Sequence, residues 1–257
     1  MDLVSVIMPV FNAIDTLGQA LDSIVQQDYR PIEICLVDDK SDDGSYAFAK
    51  DYTSKNTAQG IDFKLLQNHS NKGAGFTRNK ALELATGRYI AFLDADDLWK
   101  PHKLTTQIQA MQEGGKAVSY GAYEIFENDP DKPIAIHKVF SVLTYKELLK
   151  TNYLGNLTGI YDASAIGKIP IPLMRKRQDW AMWLDVLKTG GDAIGIQEPI
   201  ASYRLGDGLS ASKWGLIKYN YAVYREHLGY GSIKSSLKML SFFYEQFLVK
   251  RKLKKSI

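Results

Sequence analysis

The sequence has one cysteine, Cys35, in 257 residues. An internal disulfide is excluded, and the chain suits a reducing compartment. Cys35 stands in the apolar run IEICLVDD, where it reads as a small buried hydrophobe rather than a reactive thiol. Histidine is scarce as well, and His69, His102, His137 and His227 show no metal-ligand spacing. No serine occupies a G-x-S-x-G elbow. The turn after the opening strand, PVFNAIDTLG, has no glycine before Gly18, which argues against a nicotinamide-dependent dehydrogenase. Excess charge of either sign is small: the formal net charge of +3 is too small to call the whole chain a nucleic-acid binder. Long apolar runs are missing too. No uninterrupted segment would cross a bilayer, and no basic stretch followed by an apolar run opens the chain. The expected location is the cytoplasm.

What is present is an alternation. LVSVIMPVF reads as a buried strand ending near Pro9. Ala13, Leu17, Ala20, Leu21, Ile24 and Val25 then share one helical face. IEICLVDD is a second strand, and Ser45 to about Tyr52 a second helix. IDFKLL is a third strand, followed by a helix over 75–85 that stops at Thr86-Gly87. RYIAFLDADD is a fourth strand, and Pro101 suits the first turn of a helix carrying Leu104, Ile108 and Met111. Strands alternating with helices through short loops predict an α/β fold with a mostly parallel central sheet and flanking helices. Further on, KAVSYGAYEIF is a strand candidate, and Thr144 with Glu147 has capping-box spacing. IPIP is an edge or a loop. QDWAMWLDVLKTGG is a helix with a glycine stop, and AIGIQEPIASYRL a strand followed by a bend.

Polar clusters close three of the strands: Phe11-Asn12, Asp38-Asp39 and Asp94-Asp96-Asp97. In open α/β sheets ligands collect at those ends. Adjacent carboxylates repel unless something positive compensates them. A magnesium or manganese ion bridging a diphosphate would do so, because hard oxygen ligands suit either metal. The plain alternative is a solvated acidic turn. Asp38 or Asp39 could accept hydrogen bonds from a base or a ribose, while Asp42, Asp43 and Ser45 read as caps for the following helix. Asn71-Lys72-Gly73-Ala74-Gly75 is a glycine-rich turn that could bring backbone close to a ligand. Gln178-Asp179-Trp180 opens a helix. There the dipole accounts for an acidic residue without any catalysis, yet a carboxylate is also what deprotonates a hydroxyl. Trp183, one turn on, reads as core or as a sugar-stacking face.

Taken in order, VSVIMPVFN, LVDDKSDDGS and NKGAGFTRNKALELATGRYIAFLDADD resemble the family 2 glycosyltransferases, of the bacterial type that builds O-antigen, capsule and other surface polysaccharides. The resemblance extends more loosely to QDWAMWLDVL and YRLGDGLS. It implies the A-type glycosyltransferase fold and an inverting transfer from a UDP-sugar, with UDP-glucose or UDP-galactose preferred. On that resemblance Pro9, Phe11, Asn12, Asp38 and Asp39 hold the base and nucleotide, with Asn71, Gly73 and Arg78 beside the donor. Asp94 and Ala95 lie at the ribose or donor sugar, and Asp96 takes Mn2+ or Mg2+. Asp179 becomes the catalytic base, and Gln178, Trp180 and Trp183 frame the acceptor. Tyr203 and Arg204 lie near the diphosphate. Two departures stand out. Gln178 replaces the family's glutamate, and Gly206 stands where many relatives have histidine.

The implied partners are a nucleotide-sugar donor and a saccharide or undecaprenyl-linked oligosaccharide acceptor, with no nucleic acid. The catalytic domain is expected over 1–212, divided into a nucleotide-sugar half, 1–115, and an acceptor half, 116–212. Residues 213–257 form a helical, basic tail. Its stripe of Leu237, Leu240, Tyr244, Phe247 and Leu248, with Lys250, Arg251, Lys252, Lys254 and Lys255 after it, has three readings. It is a solvated terminus, a peripheral contact with the cytoplasmic face of the inner membrane, or a homodimer surface. Two other functions compete with the transferase. A nucleotidyltransferase would need a glycine-rich basic loop after the first strand, which PVFNAIDTLG lacks. A non-catalytic carbohydrate-binding scaffold would have no need of Asp94, Asp96 and Asp179.

Overall fold

The computed structural model describes residues 1–56, 59–206 and 216–256. The first half runs β1 (Val4–Val10), α1 (Ile14–Val25), β2 (Ile32–Asp38), α2 (Ser45–Lys55), β3 (Ile61–Gln67), α3 (Ala74–Leu84), β4 (Tyr89–Phe92), β5 (Leu98–Trp99) and α4 (Lys103–Gly114). β1 pairs in parallel with β2 and β4, and β3 pairs in parallel with β2. Side chains alternate across the sheet, as the two-residue period of a strand requires. Ile7 points into one core with Cys35 and Val37. Val6 and Met8 point into the opposite core with Leu17, Leu21 and Ile24 of α1. Cys35 is fully buried, and that burial pushes its thiol up to about 12.

The second half makes the sheet mixed. It runs β6 (Val118–Phe126), β7 (Ala135–His137), β8 (Val142–Leu143), α5 (Tyr145–Leu148), β9 (Ile160–Asp162), α6 (Ala163–Ile166), α7 (Gln178–Gly190) and β10 (Ala193–Arg204). β9 lies antiparallel between β4 and β6, and β10 runs parallel to β6. β10 continues as one strand where a bend was expected. The register slips around Pro199, because proline has no N–H for the ladder and is accommodated at a bulge. The capping box before α5 forms with both of its reciprocal bonds. Capping around the second loop differs from expectation. Asp43 accepts from Ser45 N but also from Ile14 N, and Ser45 Oγ accepts from Ala13 N. Asp43 therefore serves the starts of both α1 and α2 and Ser45 Oγ that of α1, while Asp42 makes no such bond.

α8 (Ile217–Ala222) and a π-helical turn over Val223–His227 follow. They lead to α9 (Ser232–Tyr244), a second π-helical turn over Glu245–Val249, α10 (Lys250–Leu253) and β11 (Lys254–Ser256). These helices are not peripheral. Val223, Tyr224, Met239 and Phe242 join the core that holds Trp180 and Trp183, and β11 pairs with β7. Another face of α9 and of the π-helical turn after it stays in solvent: Leu237, Leu240, Tyr244, Phe247 and Leu248 are all exposed. The expected boundary at 212/213, the end of YRLGDGLS and the Arg251 side chain lie outside the described residues.

Candidate active site

Two hollows open at the C-terminal ends of the parallel strands. The first, of about 670 Å3, is lined by Pro9, Phe11, Asn12, Asp39, Asn71, Gly73, Arg78, Asp94, Ala95 and Asp96 among others. Ten of the residues expected to hold the donor are thus brought to one cleft from four chain segments.

The loops are held there by identifiable bonds. Asp39 is 3% exposed, and its carboxylate accepts from Lys72 N at 2.9 Å and Gly73 N at 2.7 Å. A side chain that accepts from two backbone donors fixes the glycine-rich turn against β2. Gly73 has φ of +85°, a conformation that side chains with a Cβ rarely adopt. Asn12, at φ of 48°, accepts from Asp42 N and ties the first loop to the second. Asp38 is placed differently. Its carboxylate is fully enclosed, bonded to Ser41 N, Ser41 Oγ and Gln67 Nε2, and it does not line the cleft.

The three aspartates after β4 occupy three environments. Asp94 pairs with Arg78 at 2.5 Å, and Asp96 is exposed to the cleft. Asp97 is 5% exposed and accepts from Arg204 N at 3.0 Å, which joins the acidic loop to the end of β10. Desolvation, then the neighbouring charge of Asp94, raises the Asp96 carboxyl above its ordinary value. Burial, then Asp96, raises Asp97 well above it. Arg204 reinforces the loop from outside, donating from Nε to Asp96 O at 3.0 Å and stacking on Phe126. Uncompensated negative charge at an exposed carboxylate fits a divalent cation. No group of three or more His, Cys, Asp or Glu that could hold a metal alone occurs among the described residues. Any cation at Asp96 would therefore take its remaining ligands from a bound diphosphate or water.

The second hollow, of about 350 Å3, shares Ala74, Arg78 and Asp94 with the first. The Arg78–Asp94 pair is thus their common wall. Asp179 and Gln178 line this second cavity, together with Tyr203, Asn152, Asn156, Arg175, Arg177 and Lys250. Asp179 lies in the first turn of α7, and its Oδ2 accepts from Asn152 Nδ2 at 2.8 Å. Trp180 and Trp183 are both 0% exposed and line neither hollow, so neither ring can stack on a sugar here. Trp183 reaches the cavity only through Asn156, whose Oδ1 accepts from its Nε1 at 3.1 Å.

Sequence reasoning missed Asn152, Arg175, Arg177 and the inward placement of Lys250. Arg175-Lys176-Arg177 immediately before Gln178 was a visible basic run, but a charge run is ordinarily a solvated face. Nothing local could have placed Lys250 in a cavity with Asp179.

Residues 5–169 match the model of the family described as Glycosyl transferase family 2. The chain is 39% identical over 227 residues to a Bacillus subtilis protein provisionally named teichuronic acid biosynthesis glycosyltransferase TuaG, covering 87% of this chain and 88% of that one. It is 35% identical over 225 residues to the Escherichia coli protein WfgD, covering 86% and 85%. WfgD is named as a UDP-Glc:alpha-D-GlcNAc-diphosphoundecaprenol beta-1,3-glucosyltransferase. Among solved structures, S. aureus TarS 1-349 in complex with UDP-GlcNAc superposes with a TM-score of 0.69 at 18% identity, over 96% of this chain and 73% of that one. The matched segment carries the whole donor cleft, and the relatives extend through α7 and its carboxylate. The chain belongs to glycosyl transferase family 2.

Proposed function

We propose that this protein is a metal-assisted, inverting glycosyltransferase. It moves a hexose from a UDP-sugar to a hydroxyl of a saccharide or lipid-linked saccharide during bacterial surface-polysaccharide synthesis. The observation that carries this reading is the junction of the two hollows. A cleft of nucleotide-binding character and a cavity with a carboxylate at a helix start meet at Arg78 and Asp94. A sugar held at that junction has its leaving group on the Asp96 side and its attacker on the Asp179 side. The names of the E. coli and B. subtilis relatives support both the donor class and the process. UDP-glucose and UDP-galactose are the preferred donors.

The chemistry is a single displacement. The acceptor oxygen forms its bond to the anomeric carbon as the bond to the diphosphate oxygen breaks, and Asp179 takes the hydroxyl proton. An α-linked donor then yields a β-glycoside. Asn152 fixes one carboxylate oxygen of Asp179 and so orients the base. Arg78 lies where it can hold the donor against Asp94. A cation at Asp96 would stabilise negative charge on the departing diphosphate. The exposed Phe11 at the cleft mouth offers a face for the base.

The test is a donor panel. UDP-glucose, UDP-galactose and their N-acetyl forms are offered with Mn2+, and melting temperature and donor hydrolysis are followed. Binding raises apparent stability by mass action, so the true donor gives the largest rise. No rise and no hydrolysis with any UDP-sugar would refute the proposal.

A further inference from the structure

We infer that the last helical segment of the chain positions the catalytic base. Glu245, Gln246 and Lys250 clamp residues 150–153, and through Asn152 they hold Asp179 in place. This rests on the glycosyltransferase reading above and adds residues that act on its base from a distance.

Residues 150–153 follow α5 and lie in no helix or strand. The Trp180 indole ties α7 to the end of α5 by donating to Leu148 O at 2.8 Å, but that bond stops short of this stretch. Neither a helix nor a strand ladder therefore fixes Asn152, whose amide holds Oδ2 of Asp179.

The missing bonds come from the other end of the chain, one to each residue in turn. Glu245 Oε1 receives Lys150 Nζ at 2.9 Å, and its Oε2 accepts from Tyr153 Oη at 2.7 Å. Gln246 Oε1 accepts from Thr151 Oγ1 at 3.2 Å. Lys250 Nζ donates to the carbonyl oxygen of Asn152 itself. Burial raises the Glu245 carboxyl, but the bonds from Lys150 and Tyr153 outweigh it and hold the group below its ordinary value. Charge-assisted bonds of this kind are the strong ones.

The clamp is fixed on both sides. Before it, Phe242 of α9 packs on Trp180, the residue after Asp179, with ring centroids 6.0 Å apart. After it, Leu253 O accepts from Lys138 N at 2.8 Å, and β11 pairs with β7. One rigid segment thus touches both the helix that carries the base and the loop that carries its hydrogen-bond donor. That contact sets the separation between Asn152 and Asp179. Lys250 also lines the cavity with Asp179. Burial, then Arg177, pushes its ammonium down to about 8. An apolar side chain of that volume would cost the fold less, so stability alone gives no reason for a cation there.

The experiment needs no knowledge of the acceptor. Hydrolysis of the UDP-sugar that the donor panel selects is followed with saturating Mn2+, water standing in for the acceptor hydroxyl. Lys250→Met should lower kcat about tenfold and leave donor KM within about twofold, and Lys250→Arg should recover most of the loss. Glu245→Gln should resemble Lys250→Met. Ile233→Ser, on the exposed face of α9, should change nothing. The decisive reading is a double variant. In Asn152→Ala the amide is already gone, so adding Lys250→Met should cost less than about twofold more. Losses that multiply would overturn the inference, as would wild-type kcat in Lys250→Met. A rise in donor KM matching the fall in kcat would mark general loosening and overturn it too. Hydrogen exchange in the UDP-bound protein gives a readout free of turnover. Lys250→Met should speed exchange over residues 150–153 while α9 keeps its protection, and unchanged exchange there would overturn the inference whatever the rate of hydrolysis. UDP calorimetry certifies that each variant has folded. Absence of both UDP binding and hydrolysis in the unaltered protein refutes the glycosyltransferase reading, whereas hydrolysis with multiplying losses refutes this inference alone.

Discussion

Asn152 donates its side-chain amide to Oδ2 of Asp179 across 2.8 Å, from a loop 27 residues earlier in the chain. The contact settles which carboxylate oxygen is occupied and so which way the other faces. Asp179→Asn should therefore fold normally and lose transfer by roughly 10²–10⁴-fold, the range for removing a general base. Asn152→Ala should cost only about tenfold, through orientation. UDP release with acceptor present, set beside the melting temperature, measures both. Wild-type turnover in Asp179→Asn would remove this carboxylate from the mechanism.

Cation dependence gives a second expectation. Chelation should abolish most turnover while leaving the nucleotide-free melting temperature unchanged, because Arg78 and the end of β10 hold the acidic loop. Asp96→Asn should behave alike and respond weakly to added Mn2+. Asp97→Asn should instead lower stability, since Asp97 is buried and bonded to the end of β10. Turnover that survives chelation undiminished contradicts the role given to Asp96.

Packing beneath the acceptor cavity can be tested at Gly159. A Cβ there would clash with the indole of the fully buried Trp183. Gly159→Ala should destabilise by about 1–3 kcal/mol, as overpacked cores do. Because Trp183 holds Asn156, the substitution should also raise the acceptor KM. Urea titration and acceptor kinetics would report the two effects. An unaltered urea midpoint would mean that the indole shifts freely.

A pH signature should come from Lys103. It is 0% exposed, donates to Gln107 Oε1 at 2.8 Å and lies 4.1 Å over the Trp99 ring. Burial pushes its ammonium down to about 7. Between pH 7 and about 10 the unfolded chain carries a proton here that the folded chain does not. Unfolding then takes up protons, so this lysine makes stability rise with pH across that window. Lys103→Met should be more stable than the parent at pH 7, by about 1–4 kcal/mol, with the gap closing towards pH 10. Paired urea titrations at pH 7, 8.5 and 10 measure the gap, and a constant gap would contradict the assignment.

Much of the donor cleft was legible in the sequence. Phe11, Asn12, Asp39 and Asp96 each end or follow a strand whose apolar pattern fixed its position. In a parallel sheet strand ends gather on one side. The acceptor side was far less legible. Trp183 fits a core and a sugar platform equally well by sequence, because an aromatic at helical spacing serves either. Lys250 belonged to a basic run with every mark of a solvated terminus.

The sequence by itself determined the alternation of strands and helices, the Thr144–Glu147 cap, and the family. These follow from short-range periodicity, backbone preference and motif order, which any window of the chain carries. Only the tertiary structure decided among chemically identical residues. It enclosed Asp38 in its own turn, paired Asp94 with Arg78, exposed Asp96 and buried Asp97 against β10. It also drew Lys250 from the last helix to the first turn of α7. The reason is physical: a carboxylate or an ammonium takes its character from desolvation and from neighbouring charge. Those neighbours come from distant chain segments that only packing brings together.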